Sequence, residues 1–297
     1  MGLRDDIQAQ WRTGGMLVRL IFINIGVFVA LRLLGLVFFL FGTGGPDVLQ
    51  WLMSTSHPGR LVQRPWTVVT YMFTHWDLFH LLFNMLVLYY IGRIFLDLLG
   101  PKRLLGNYLL GGFTGLALYV LAYNLLPAFQ RFAQDSTILG ASAAVMGVFI
   151  GIAAYRPEVR IHLLLFGAVQ LKWLALIYVV IDLVSIQHGG NSGGHIAHLG
   201  GALYGYLAAR QLAQGNDWSM RFVEFLERAG RLFKGDRRPR MRVAKKPVRN
   251  VHERDAEFNA RKADMQARVD AILDKISRSG YESLSKEEKD LLFKASK

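Results

Sequence analysis

Residues 138–155 read ILGASAAVMGVFIGIAAY, a run without a single charge, dense in small residues, with a serine in its first turns. A helix crossing the hydrocarbon layer needs roughly 20 mostly apolar residues. Working outward, five more stretches fit that template: 16–42, 77–99, 104–126, 169–187 and 194–212. The fold class expected is therefore an all-α membrane protein, a bundle of six transmembrane helices followed by a C-terminal soluble helical tail.

Charge divides the chain in the same way. Residues 1–212 hold 14 Lys/Arg and 8 Asp/Glu, whereas 213–297 hold 21 and 14. The stretch 16–42 is too long for the apolar region of a signal peptide. With no cysteine, disulfides, thiolate catalysis and Cys-based metal sites are excluded. Four parts follow: an N-terminal segment 1–15, a membrane domain 16–212, a basic juxtamembrane linker 213–250 and a small helical hairpin 251–297. In the linker Arg237-Arg238-Pro239-Arg240 and Lys245-Lys246-Pro247 break helix, and its charge suits a bilayer of anionic headgroups. In the hairpin Phe258, Met265, Val269, Ile272, Leu273 and Ile276 make one stripe, Gly280 stops the first helix, and Ser285-x-x-Glu288 caps the second. The tail lacks the aromatic interleaving of a nucleic-acid binder, so no nucleic-acid partner is expected; the tail's own partner is left open. Lys/Arg bias in the short loops puts both termini on the cytoplasmic side, and the location expected is a bacterial plasma (inner) membrane, integral and multi-pass.

Polar groups at membrane depth are costly and mark function. His80 and Asn84 lie in the first turns of the second stretch, Ser142 in those of the fourth, His195 and His198 at the start of the sixth. These stretches run in the same direction, so the residues share one depth, roughly 5–10 Å below the interface. A serine hydroxyl needs a neighbouring base, and neutral imidazole suits that role near pH 7. Backbone N–H groups at a helix start and the Asn84 amide are donors for a developing oxyanion. Gly140 permits close approach. Ala197-x-x-x-Gly201-x-x-x-Gly205 forms a smooth stripe for packing, against helix four if His198 is to reach Ser142. Taken alone, these residues equally suit plain helix packing.

Phe73-Thr-His75-x-x-x-x-His80-x-x-x-Asn84, Gly140-Ala-Ser142 and Ala197-His198-x-Gly200-Gly201-x-x-x-Gly205 resemble, in order and spacing, the rhomboid family of intramembrane serine proteases. The resemblance covers roughly residues 15–212 and leaves the tail aside. It implies a Ser142–His198 catalytic dyad without a third carboxylate, and an oxyanion hole from the Ser142 backbone, His80 and Asn84. It implies single-pass transmembrane substrates cut near the outer face, with neither metal nor cofactor. Three positions depart from the family. Its glycine after the nucleophile is Ala143 here, the aromatic four residues after the serine is Met146, and its Trp-Arg pair is Trp66-Thr67, with Arg64 upstream as a substitute.

These departures keep an alternative in view: a weak or inactive relative that binds transmembrane helices without cutting. A transporter is a third class, but no inverted repeat or broken helix pair supports it. Asp182, inside helix five, reads as a hydrogen-bonded structural residue; Arg93 and Asp97 read as an i, i+4 pair; Arg32 has no evident partner. Gly189–Gly194 reads as a mobile loop over the site, and a part for His195 is left undecided.

Overall fold

The computed structural model describes residues 8, 11, 14–42, 48–163, 167–188, 190–234 and 251–295. Most of segment 1–15, the turn Gly44-Gly45-Pro46, Gly189 and the basic run 235–250 lie outside the described residues. The chain divides into two compact units, Met1–Asp236 and Arg237–Lys297.

In the first unit α1 (Gly15–Leu40), α2 (Leu78–Leu99), α3 (Pro101–Leu125), α4 (Ser142–Tyr155), α5 (Leu171–His188) and α6 (Ser192–Ala213) follow the six apolar stretches. Among the described residues α1, α2 and α3 are long and apolar enough to cross a membrane. Gly100, with φ 81°, turns α2 into α3, and Pro101 opens α3 where its missing N–H has no intrahelical acceptor to lose.

α4 sits at the centre, buried from Ala143 through Ala153 and packed on α3 and α6. Glycines make such close packing possible. A Cβ on Gly201 would collide with the Ala143 carbonyl, one on Gly205 would lie 2.5 Å from the Gly147 carbonyl oxygen, and one on Gly111 would lie 2.9 Å from Gly147 Cα. The small-residue stripe of α6 thus faces helix four. α1 is different: its buried residues are Leu17, Leu20 and Asn24, and Asn24 donates to the Tyr108 hydroxyl at 3.1 Å.

Between α1 and α2 run short helical turns at Val48–Leu52, Pro58–Gln63 and Thr67–Thr70 and a 3-10 turn at Tyr71–Phe73. Trp51 and Trp66 stack at 6.0 Å, and the Arg64 guanidinium lies 4.3 Å from the Trp51 ring centre. β1 (Ser54–Thr55) pairs antiparallel with β2 (Thr137–Ile138), which ties this segment to the chain just ahead of α4.

Several expectations need correction. The all-α reading omits β1–β2 and a second hairpin, β3 (Arg160–Leu163) with β4 (Gly167–Gln170), in register Arg160↔Gln170. The linker assigned to 213–250 begins with a helix, α7 (Trp218–Lys234), packed on α3. Its anchors are Arg103–Asp217 at 2.6 Å, Lys102–Glu227 at 2.9 Å and a buried Ser219 that accepts from Asn107 at 2.8 Å. Arg93 donates to the Tyr89 hydroxyl at 3.2 Å, not to Asp97. Arg32 has a partner after all: its guanidinium lies 4.1 Å from the Trp76 ring centre, a cation–π contact that sequence spacing does not reveal.

The second unit holds α8 (Val251–Ser279), Gly280 at φ 74° and α9 (Lys286–Ala295). Ser285 N–H donates to Glu288 Oε2 at 2.7 Å and Glu288 N–H to Ser285 Oγ at 3.3 Å, the reciprocal capping box read from the sequence. The apolar stripe of α8 is another matter: Ile272 is buried, while Phe258, Met265 and Leu273 are exposed.

Candidate active site

Ser142 is the first residue of α4, where backbone N–H groups have no intrahelical acceptor. Gly140 precedes it at φ 121°, a conformation that favours glycine, and its N–H donates to the Tyr71 carbonyl at 2.9 Å. A Cβ at Gly140 would also lie 2.7 Å from Cε1 of His80, so the missing side chain lets that imidazole stand beside the serine. His198 comes from the second turn of α6, and its Nε2 lies 2.7 Å from Ser142 Oγ. Asn84, buried on α2, donates from Nδ2 to the His80 carbonyl at 2.8 Å, which uses one of its two amide hydrogens.

These groups line a cavity of about 400 Å³, with Tyr71, Phe83, Tyr178 and Gly194 among its walls. The residues named from the sequence are therefore brought together: Ser142, His198, His80, Asn84, Gly140 and Ala143 all border the same space. Gly201 stands behind Ala143 as a packing position, and Met146 is buried one turn further along α4.

The departures from the family pattern have local explanations. A Cβ on Gly115 of α3 would lie 2.6 Å from the Ala143 Cβ, so the extra methyl occupies a notch that Gly115 leaves open. The ring beside His198 comes from another helix: Tyr178 of α5, with ring centres 6.4 Å apart, and Phe149 packs on Tyr178 in turn. The Gly-rich loop is shorter than expected, because Ser192, Gly193 and Gly194 belong to α6 and both glycines are buried.

Two residues stand outside the expected serine–histidine pair: Asp182, read from the sequence as a hydrogen-bonded structural residue, and His195, whose part was left undecided. Asp182, 2% exposed, lies on α5 with Oδ1 at 2.9 Å from His198 Nδ1 and 2.8 Å from His195 Nδ1. The expected dyad has no third carboxylate; the structure sets the Asp182 carboxylate beside its histidine. The signal was available: Asp182 stands six residues before the end of α5 and His198 six after the start of α6, so an antiparallel hairpin sets them level. Asp182, His195 and His198 also offer ligand atoms within 4.8 Å of one another, a donor set that suits a divalent cation, though hydrogen bonds account for the same spacing.

Residues 62–215 match the rhomboid domain family, and residues 253–297 match a family of unknown function, DUF6576. Among curated proteins the chain is similar to RHOMBOID-like protein 12, mitochondrial, of Arabidopsis thaliana, 28% identical over 50% of this chain and 47% of that one. It is similar to presenilin-associated rhomboid-like protein A, mitochondrial, of Danio rerio, at 31% over 51% and 38%. Rhomboid protein 1, mitochondrial, of Saccharomyces cerevisiae matches at 30% over 48% and 40%. The chain spans less than half the length of these relatives. They also correct the expected location: the relatives are mitochondrial proteins, and a bacterial plasma membrane finds no support among them. Loop charge bias reports sidedness, not which membrane holds the protein.

Proposed function

The chain belongs to the rhomboid family, and from that premise we propose that it is an intramembrane serine endopeptidase acting on single-pass transmembrane segments. The observation that carries the reading is the 2.7 Å approach of His198 Nε2 to Ser142 Oγ at a helix start. Ser142 Oγ attacks the scissile carbonyl carbon as its proton passes to His198 Nε2. The oxyanion so formed is met by the Ser142 N–H, the second amide hydrogen of Asn84 and the His80 imidazole. Collapse breaks the C–N bond, and His198 returns the proton to the leaving amine. Water then attacks the acyl ester by the same route and frees the serine.

On this reading α1 to α6 all cross the bilayer, and residues 251–297 form a soluble hairpin beyond the juxtamembrane stretch. The site lies near the end of the bundle where α2, α4 and α6 begin, so a substrate enters sideways and is cut close to one end of its span. The helix-binding alternative rested on Ala143 and Met146. The notch at Gly115 for the Ala143 methyl and the Tyr178 ring beside His198 support the protease reading over that alternative. The test is cleavage of a single-pass substrate by full-length protein in liposomes, wild type beside Ser142→Ala. Loss of product in the variant is expected; equal cutting by both rejects the serine mechanism.

A further inference from the structure

We propose that Asp182 and His195 form a positioning pair for His198, fixing the tautomer in which its Nε2 lone pair faces Ser142. The proposal rests on the protease reading given above and adds a residue pair that the serine–histidine dyad does not contain.

The argument is one of hydrogen inventory. An ionised carboxylate only accepts, and a neutral imidazole carries its hydrogen on one nitrogen. Oδ1 of Asp182 lies 2.9 Å from Nδ1 of His198 and 2.8 Å from Nδ1 of His195. Both Nδ1 atoms must then carry hydrogen, which leaves Nε2 of His198 bare and ready to accept from Ser142 Oγ, 2.7 Å away. Without the carboxylate, either tautomer of His198 is open to it, and the one with hydrogen on Nε2 cannot take the serine proton.

His195 has a separate task. Asp182 is 2% exposed, and its Oδ2 has no hydrogen-bond partner among the described residues. Among the described residues the hydrogen bonds to this carboxylate all fall on Oδ1, where the two imidazoles donate side by side. A buried charge held through one oxygen is free to turn about its terminal torsion once a donor is lost. His195, one turn before His198 on α6, supplies the second donor and holds Oδ1 toward His198. Asp182 and His195 touch neither serine nor scissile bond on this account; they act through His198.

The test uses full-length protein in liposomes with a single-pass substrate. Asp182→Asn replaces the acceptor with an amide that can donate to Nδ1, and is expected to lower kcat by about a hundredfold or more with KM little changed. His195→Leu removes one donor and is expected to lower kcat by about tenfold, while His195→Asn, which restores an N–H near the Nδ1 position, recovers most of the loss. Nitrogen-15 spectra of the labelled wild-type histidines supply a readout independent of cutting: both rings should be protonated at Nδ1. A His198 protonated at Nε2 in the wild type overturns the proposal even where Asp182→Asn fails to fold. Full kcat in both Asp182→Asn and His195→Leu, beside a dead Ser142→Ala, overturns it and leaves the protease reading standing. Equal cutting by wild type and Ser142→Ala removes the protease reading itself.

Discussion

α1 and α4 are both apolar helices, yet they are built on opposite plans. α1 runs for 26 residues, buries Leu17, Leu20 and Asn24, and exposes Leu33, Leu36, Phe39 and Leu40. α4 has 14 residues, exposes none of those between Ala143 and Ala153, and touches its neighbours through glycines at backbone distance. Hydrophobicity identifies the first helix; small size identifies the second. Ser142 is on the second, where a rigid and crowded surround can hold Oγ within hydrogen-bond reach of an imidazole from another helix. A helix that faces solvent or lipid over most of its surface cannot offer that.

The contrast can be broken most severely at Gly201. In Gly201→Val the new side chain meets the Ala143 carbonyl, a rigid backbone group, so α4 and α6 must separate. Overpacking of this kind costs about 1–3 kcal/mol or more; thermal unfolding in detergent should show a large fall in Tm together with loss of cutting. A next smaller effect is expected at Gly140. Gly140→Ala pairs a φ of 121° with a clash at the His80 ring. Strain at such positions costs on the order of 1–3 kcal/mol, and activity should fall by about tenfold or more, with a fall in Tm smaller than that of Gly201→Val. Leu33→Ala on the exposed side of α1 tests the opposite plan. Its expected effect on Tm corresponds to within about 0.5 kcal/mol; a large destabilisation would show that α1 packs on a surface beyond this chain's own first unit.

The smallest effect lies outside that comparison, in the tail, where charge replaces apolar packing. The Ser285 N–H, with Lys275 as the second influence, holds the Glu288 carboxyl below its ordinary range. A lowered folded value means stability that is full above the unfolded pKa, about 4.3, and lost as pH falls through the lowered value. Hydrogen-exchange protection over Lys286–Ala295, taken relative to the intrinsic rate at each pH, should therefore fall as pH is lowered through that window. Glu288→Gln should remove the dependence; an unchanged dependence would assign it to another group.

Much of the site was legible because its residues sit at helix starts, and the apolar stretches locate those starts. Ser142, His198, His80 and Asn84 emerge at one level from counting residues along three parallel helices. The role of Gly140 also follows from residue type, since a glycine ahead of a helix-opening serine suggests close approach. Asp182 was legible only in part. Its place on α5 was known, but whether it faces α6 or lipid depends on the rotation of α5, which an apolar helix with few polar residues does not declare. Arg32 and Trp76 are far apart in sequence and meet only through the packing of α1 beside α2. α7 was hidden in a charged stretch, because its docking depends on ion pairs to Lys102 and Arg103 more than a hundred residues away.

The sequence by itself determined the helical plan, the common level of Ser142, His198, His80 and Asn84 at helix starts, and the helix-capping chemistry of the tail. These depend on composition and local spacing, which a chain carries before it folds. Tertiary structure alone decided that His195 and His198 share one carboxylate oxygen of Asp182, that Gly115 makes room for the Ala143 methyl and that Tyr178 supplies the ring near His198. Each depends on how one helix is rotated against another, and that rotation is set by the summed fit of many small contacts, none of which is written at a single position.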